Sequence, residues 1–171
     1  MSLPIARPAT SDDRIAIDAI HAAVWGGSVV VGHDQIFALK LLPTFVAEAA
    51  DGSVVGALCY EETADALEVV SIGAVPRTRG AGTALLRAAV TYAKVAGLRR
   101  VWLVTTNDNL DALRFYQRRG MRIVDVDPGA VDRARRLKPA IPAVGAYGIP
   151  LRDELTVELR LDSGPGWRRR D

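Results

Sequence analysis

Cysteine, histidine and lysine are scarce in this sequence: Cys59 is the single cysteine among 171 residues, beside two histidines and three lysines. One cysteine excludes a disulfide framework and the paired cysteines of zinc sites, and it is typical of a reducing cytoplasm. The longest apolar stretch, residues 141–151, is interrupted by proline and glycine and is far shorter than the roughly 20 residues that cross a membrane. Residues 1–13 lack the apolar segment of a secretory signal. We therefore expect a cytoplasmic protein without a metal site or a membrane contact.

The sequence also lacks a large excess of charge of either sign. The 22 basic and 20 acidic residues give a net charge of +2, which does not favour nucleic acid as a partner. Apolar residues make up 49% of the chain and charged residues 25%, as in ordinary globular domains. We expect one folded domain over residues 1–162, followed by a flexible tail over 163–171.

Strand and helix patterns alternate through the middle of the chain, which predicts a mixed α/β sheet. Residues 28–43 are ambiguous, and a second short helix is one interpretation. Residues 66–75 read as the central strand, and 100–106 as a strand buried on both faces. The predicted strands cover residues 3–7, 44–49, 53–60, 66–75, 100–106, 121–126 and 155–161, with a hairpin turn at Asp51-Gly52. The predicted helices start near residue 9 and end near 26, and cover 83–96, 109–119 and 131–137.

The segment Arg77-Thr78-Arg79-Gly80-Ala81-Gly82-Thr83 follows a strand and opens a helix. Its glycines permit close approach of the backbone to a ligand, and the N–H groups of a helix start bind anions such as pyrophosphate. The two arginines add charge-assisted hydrogen bonds. Leu85 stands where a Rossmann fingerprint needs its third glycine, and no P-loop lysine follows. The alternative for this segment is a glycine-rich helix start with solvated arginines.

A second motif, Asn109-x-x-Ala112-x-x-x-Tyr116, follows a buried strand about thirty residues later. Together, R-x-x-G-x-G and N-x-x-A-x-x-x-Y resemble the GNAT N-acetyltransferase superfamily. The resemblance implies a GNAT fold, in which a mixed, mostly antiparallel sheet of about six or seven strands is splayed in the middle and carries helices on both faces. It also implies acetyl transfer from acetyl-CoA to an amine.

The resemblance further assigns roles to individual residues. Residues 77–83 would bind the pyrophosphate of acetyl-CoA through backbone N–H groups, and Ile72 and Ala74 would hold the pantetheine by strand-like hydrogen bonds. Asn109 would bond the pantetheine arm, and Tyr116 would protonate the departing thiolate. The alternative for Tyr116 is a half-buried aromatic side chain on an amphipathic helix.

Glu68 is our candidate for the catalytic base. An amine with a pKa near 10.4 is neutral in only about one molecule in 2,500 at pH 7, so deprotonation costs about 4.6 kcal/mol, and a positioned base removes the proton locally. Some family members carry a glutamate two residues earlier on this strand, a shift that keeps the side chain on the same face. The alternative for Glu68 is a solvated or salt-bridged strand residue.

For the other polar and aromatic candidates we expect less specific roles. His33, in a polar loop near Asp34, is expected on the surface, and a position facing the acceptor site is the alternative. His21 is exposed or structural, and Cys59 is a small core residue. Trp25, before Gly26-Gly27, either lines an acceptor pocket or packs at a helix end.

Residues 128–153 are long for a connection between two strands. The pattern LKPxIP…GIPxRDE resembles an insertion in a subgroup of bacterial GNAT proteins. We expect this segment to line the acceptor side, with Arg152 or Asp153 available to a polar substrate; a lid or a subunit contact is the alternative.

The expected activity is direct acetyl transfer to an amine, most simply a small molecule, by a monomer or homodimer. A non-catalytic acyl-CoA-binding or regulatory module is the alternative, and the sequence does not identify the acceptor.

Overall fold

The computed structural model describes residues 2–74 and 79–161, so the predicted tail lies outside the described residues. The strands are Ile5–Pro8 (β1), Val29–Gly32 (β2), Gln35–Ala38 (β3), Thr44–Glu48 (β4), Val54–Glu62 (β5), Ala66–Ala74 (β6), Arg100–Thr106 (β7), Arg122–Asp127 (β8) and Glu154–Arg160 (β9). The α-helices are Arg14–Trp25 (α1), Ala81–Val95 (α2), Leu110–Gln117 (α3) and Ala130–Leu137 (α4). Short 3₁₀ turns cover Ser11–Asp13, Leu39–Leu41 and Ala146–Gly148. None of the described helices is long and apolar enough to span a membrane.

Seven strands form one sheet in the order β1-β4-β5-β6-β7-β9-β8, while β2 and β3 pair with each other. Among the described strands, β6 and β7 form the one parallel pair, and the other neighbours are antiparallel. β6 is the fourth of the seven strands, so the prediction of a central strand over 66–75 is confirmed. The mixed, mostly antiparallel sheet expected from the sequence is confirmed as well.

β6 and β7 separate soon after they pair. Their parallel ladder joins Ala66–Glu68 to Arg100–Trp102. β6 then continues to Ala74, and β7 continues to Thr106, without further pairing between them. On its other side, β6 stays paired with β5 as far as Ala74. The sheet therefore opens as a V with its vertex at Glu68, which is the splay that the resemblance implied.

Helices cover both faces of this sheet. Consecutive residues of a strand face opposite sides. In β4, Val46 packs in a cluster with Ile17 and Ile20 of α1, whereas its neighbours Phe45 and Ala47 pack in the larger cluster that contains α2. The alternation places α1 and α2 on opposite faces. Burying a large apolar side chain in these clusters stabilises the fold by roughly 2 kcal/mol.

Within residues 28–43, the β2–β3 hairpin covers residues 29–38, and the short helix that we considered is reduced to the 3₁₀ turn Leu39–Leu41. Val29–Gly32 pairs antiparallel with Gln35–Ala38. The two turn residues, His33 and Asp34, have positive φ angles of 38° and 63°, as a type I′ turn requires. This turn usually carries Asn-Gly or Asp-Gly, so the His-Asp pair gave no hairpin signal.

The prediction that β7 is buried on both faces is wrong. Val101, Leu103 and Thr105 are buried, but the residues between them are half-buried. Part of this second face is covered by a loop side chain, since the His33 ring lies 5.5 Å from the Trp102 ring. A single imidazole excludes less water than a packed helix does.

The segment between β8 and β9 is an ordered structure. The prediction of a helix over 131–137 is confirmed by α4. The guanidinium of Arg135 donates hydrogen bonds to the carbonyls of Ile141, Pro142 and Leu151. These bonds tie the proline-rich turn after α4 back to the helix.

Candidate active site

A cavity of about 100 Å³ lies where β6 and β7 separate. Its walls come from the two diverging strands, the β2–β3 hairpin, the end of α1 and the start of β9. Glu68 and Asn109, two of the predicted site residues, both line it. Trp25 lines it too, which agrees with the pocket interpretation of that residue. The region where β6 and β7 no longer pair therefore brings together Glu68 and Asn109, two of the polar residues that we predicted from the sequence.

Glu68 sits at the vertex of the V, at the last paired position of β6 with β7. Glu68 is only 6% exposed, and its Oε1 lies 2.7 Å from Nε2 of His33. Glu68 is thus a buried carboxyl group that faces the cavity, and the solvated alternative is wrong. Its contact with His33 is an ion pair when the imidazole is protonated, so the salt-bridged alternative agrees with the structure. A carboxylate in this position can accept a proton from a group bound in the cavity.

His33 is a functional candidate that we expected on the surface, with a position facing the acceptor site as the alternative. The hairpin turn instead points its ring into the cavity, against Glu68 and the ring of Phe37. The hydrogen bond with Glu68 raises the pKa of His33 above its ordinary value, against the opposing effect of burial. The contact between His33 and Glu68 joins residues 35 positions apart, so the local spacing of residues does not predict it. The neighbouring Asp34 was the one feature of the sequence that pointed to His33.

Glu154 also lines the cavity, and sequence reasoning missed it. It is 5% exposed, and its Oε2 accepts a hydrogen bond of 2.8 Å from the backbone N–H of His33. Burial raises the pKa of this carboxyl group above its usual range. In the sequence, Glu154 directly precedes the predicted strand 155–161 and follows Arg152 and Asp153, the residues that we expected to be available to a polar substrate.

Those two residues do not line the cavity. The side chain of Asp153 accepts a hydrogen bond from the backbone N–H of Gly129, and the backbone N–H of Arg152 bonds to Asn107. Asp153 therefore braces the start of α4, and residues 128–153 contribute no side chain to the described cavity lining. This segment instead contacts the β2–β3 hairpin, which forms part of the cavity wall: Arg133 binds the carboxylate of Asp34, with Nε 2.9 Å from Oδ1.

The N-terminus of α2 is the candidate anion site. Gly80 is the N-cap, with a left-handed φ of 92°, and no side chain caps the helix among the described residues. The first turn contains Ala81, Gly82 and Thr83 and carries no acidic residue. Backbone N–H groups of such a turn favour an anion. Arg79 lies exposed just before it, while the predicted ligand Arg77 lies outside the described residues.

Arg119 brings a further positive charge to this helix start. Its Nη2 donates a hydrogen bond to Oγ1 of Thr83, and its guanidinium stacks 3.6 Å from the ring centre of Phe115. The same ring closes over Gly82, where a Cβ atom would stand 3.2 Å from Cζ of Phe115. Sequence reasoning missed Arg119, although the Arg118-Arg119 pair lies one turn after Tyr116.

Asn109 and Tyr116 mark the two ends of α3. Asn109 is its N-cap, and Oδ1 accepts a hydrogen bond from the backbone N–H of Ala112. Its Nδ2 lies 3.3 Å from Oγ1 of Thr105. Tyr116 is buried, does not line the described cavity, and its ring contacts Phe115 edge to face. Burial raises the pKa of its hydroxyl group, so the phenol keeps its proton at neutral pH.

Ile72 and Ala74 lie on the part of β6 that has lost β7 as a neighbour. They pair with Leu58 and Gly56 of β5 on one side. On the other side, the backbone edge is available to an extended ligand, because unpaired strand edges bind extended chains.

His21 and Cys59 lie beside each other, away from the cavity. Nε2 of His21 lies 3.4 Å from Sγ of Cys59, and both residues are buried. Burial lowers the pKa of His21 and raises that of Cys59. Within residues 2–74 and 79–161, no group of three or more histidine, cysteine or acidic side chains is placed to hold a metal ion.

Comparison with known proteins places this geometry in a family. The model of the Acetyltransferase (GNAT) family matches residues 25–121. The chain is 38% identical over 138 residues to the uncharacterized protein YdhI of Bacillus subtilis (strain 168), covering 81% of this chain and 86% of that protein. It is 35% identical over 88 residues to streptothricin acetyltransferase of Streptomyces lavendulae, covering 49% of this chain and 47% of that protein.

The fold is shared with solved structures of the same class. A GNAT family acetyltransferase from Elizabethkingia anophelis with acetyl-CoA bound superposes with a TM-score of 0.74 at 18% identity, covering 94% of this chain and 100% of that one. The family match spans more than half of the sequence and includes both motifs. The chain therefore belongs to the acetyltransferase (GNAT) family.

Proposed function

We propose that the protein transfers the acetyl group of acetyl-CoA directly to the nitrogen of a small primary amine. The observation that carries this proposal is the pair of Glu68 and His33, which faces a cavity at the vertex of the splayed sheet. Family membership supports acetyl-CoA as the co-substrate. The candidate anion site at the start of α2 supports it independently, because acetyl-CoA carries a pyrophosphate.

Acetyl-CoA would bind along the open edge of β6. The pyrophosphate would lie against the backbone of residues 79–83, with positive charge from Arg79 and Arg119. The pantetheine would then run beside Ile72 and Ala74 toward Asn109, which lines the cavity. This path ends with the thioester near Glu68, and a backbone N–H group of β6 would polarise its carbonyl.

The reaction needs a neutral amine. The pair of Glu68 and His33 would accept the proton of the bound ammonium group, which offsets the cost of about 4.6 kcal/mol at pH 7 for an amine of pKa 10.4. The amine nitrogen then forms a bond to the acetyl carbon, and the carbon–sulfur bond breaks. Holding the two reactants together in the cavity supplies a further large part of the acceleration.

The departing thiolate needs a proton, and we assign that role to Tyr116. It lies on α3, seven positions and about two turns after Asn109. Its buried hydroxyl group keeps its proton until a stronger base is formed nearby. The products are the acetylated amine and free CoA.

Thermal unfolding with and without acetyl-CoA tests cofactor binding. Saturation at about 100 times the dissociation constant adds roughly 2.7 kcal/mol, which raises the melting temperature of a domain of this size by about 5–11 °C. Arg79→Glu should abolish most of this shift. Arg136→Glu, an equal charge change at an exposed position of α4, should keep it. No shift at millimolar acetyl-CoA in the wild type contradicts the proposal.

Turnover separates an enzyme from a binding module. With any accepted amine, Glu68→Gln should lower kcat by about 10²–10⁴-fold, and Tyr116→Phe by about 10²-fold, at the lower end of the range for general acid–base residues. Release of free CoA thiol measures both. A melting shift without turnover across a broad amine panel indicates the acyl-CoA-binding alternative.

A further inference from the structure

We propose that the acceptor is a cationic primary amine without an anionic group next to its amino group, and that Glu154 selects it. This inference rests on the proposed acetyl transfer and names the class of substrate that the same site takes. It assigns Glu154 as the residue that holds the ammonium group, distinct from the pair of Glu68 and His33 that removes its proton.

The charge of the cavity lining carries this inference. Two carboxylates line it, Glu68 and Glu154, and no lysine or arginine does so among the described lining residues. Both glutamates are more than nine-tenths buried. His33 is the one basic side chain of the described lining, and its Nε2 is already bonded to Glu68. The lining therefore has two carboxyl groups against one imidazole, and this balance favours a bound cation over a bound anion.

Glu154 lacks a strong counter-ion of its own. The charged groups that act on it are His33, Asp127 and Asp34, and two of these three are acidic. The nearby guanidinium of Arg133 is held by those same two aspartates. The remaining contact of Glu154 is the backbone N–H of His33, which is a neutral donor. A buried carboxylate in these surroundings favours a positively charged ligand.

The rest of the lining fits the carbon skeleton of such an amine. Trp25, Phe37, Val69 and Val104 supply aromatic and aliphatic surface. The cavity holds about 100 Å³, less than the roughly 150 Å³ that accommodates benzene. It therefore takes the amino end and a few adjacent carbons, which is where an α-carboxylate of an amino acid would fall.

Matched acceptors test the charge argument. We would measure CoA thiol release with phenethylamine, phenylalanine and phenylalanine methyl ester, and with pentylamine, norleucine and norleucine methyl ester. The methyl ester is larger than the acid, but its ester group carries no negative charge, so it separates the effect of the carboxylate charge from that of size. The amine and the ester should be acetylated, and kcat/KM for the free acid should be at least 100-fold lower than for the amine.

Glu154→Gln isolates the proposed residue, because the glutamine oxygen still accepts the hydrogen bond from the backbone of His33. This variant should raise KM for the amine about 10- to 100-fold, leave kcat within about threefold, and reduce the discrimination against the free acid. Asp125→Asn, on exposed β8, removes one negative charge away from the cavity and should change none of these values. A merely structural role for Glu154 would lower stability or kcat without changing the preference between amine and acid.

Other outcomes overturn the inference. Equal or better turnover of the free acids contradicts it, as does unchanged discrimination in a folded Glu154→Gln protein. If acetyl-CoA shifts the melting temperature but no amine is acetylated, this acceptor class is wrong and cofactor binding stands. If acetyl-CoA causes no shift either, the proposed acetyl transfer itself fails.

Discussion

His21 and His33 are the protein's two histidines, and they have opposite electrostatic surroundings. Glu68 raises the pKa of His33, while burial lowers that of His21, with Arg14 and Lys40 acting in the same direction as burial and Asp18 against it. We expect one histidine to titrate above pH 6.5 and the other below it. Side-chain NMR titration measures both, since two sets of imidazole signals are easily resolved.

Variants assign these signals and test their cause. His33→Gln should remove the signal that titrates above pH 6.5. Glu68→Gln should move that titration to lower pH and leave His21 unchanged, because His21 lies on the buried face of α1 beside Cys59, away from Glu68. A His33 titration that is unaffected by Glu68→Gln would show that the two side chains are not paired in solution.

At the scale of elements, the β2–β3 hairpin needs support from outside, because an isolated two-stranded hairpin is marginally stable. Phe37 and Val30 pack into a small core cluster beneath it. From α4, Arg133 binds Asp34 at the hairpin tip, and Nζ of Lys138, just after that helix, lies 2.9 Å from the carbonyl oxygen of Val29. The segment after β8 therefore fastens the hairpin that carries His33.

Arg133→Gln should loosen this hairpin without unfolding the protein. The ion pair is partly exposed, so its loss should cost no more than about 1 kcal/mol in the free energy of unfolding. Displacement of His33 should nevertheless lower kcat/KM about three- to tenfold, since small misplacements of catalytic groups are costly. Hydrogen exchange of the amides over residues 29–38 should become faster. Arg136→Gln, at an exposed position of the same helix, is the control and should change neither quantity.

Elements with strong local patterns were predictable from the sequence, and the hairpin was not. The Asp51-Gly52 turn and the helix that ends near Gly97 follow known local signals, and both predictions are confirmed. The hairpin turn depends on a histidine and an aspartate with positive φ, which tolerate that conformation less readily than glycine does. Its geometry is maintained by contacts from distant elements, which no short window of sequence contains.

The same distinction applies to the candidate site. Glu68 and Asn109 were found because they stand at recognisable positions of a motif or strand, and both line the cavity. His33 and Glu154 meet across 121 positions of the chain, so their proximity is a property of the fold. Tyr116 and the α2 N-terminus remain predictions for their proposed roles.

At the scale of the whole molecule, the two histidines should give stability a pH dependence with opposite slopes on either side of pH 6.5. His33 has a raised pKa in the folded state, so its stabilising effect is complete below pH 6.5 and is lost as pH rises through that raised value. His21 has a lowered pKa, so the unfolded state binds more protons below pH 6.5, and stability falls on acidification by up to about 1.4 kcal/mol per pH unit.

Urea unfolding between pH 5 and pH 8.5 measures this dependence. Relative to the wild type, His33→Gln should lose less stability as pH rises above 6.5. Glu154 opposes His21 on the acid side, because its raised pKa means that ionisation of the buried carboxyl group costs stability as pH rises. The double variant His33→Gln/Glu154→Gln removes both effects and should show the acid-side slope of His21 alone. If this double variant has the same stability at pH 6.5 and pH 5.5, His21 is not held neutral by burial, and the packing of α1 over β5 does not exclude water as the structure indicates.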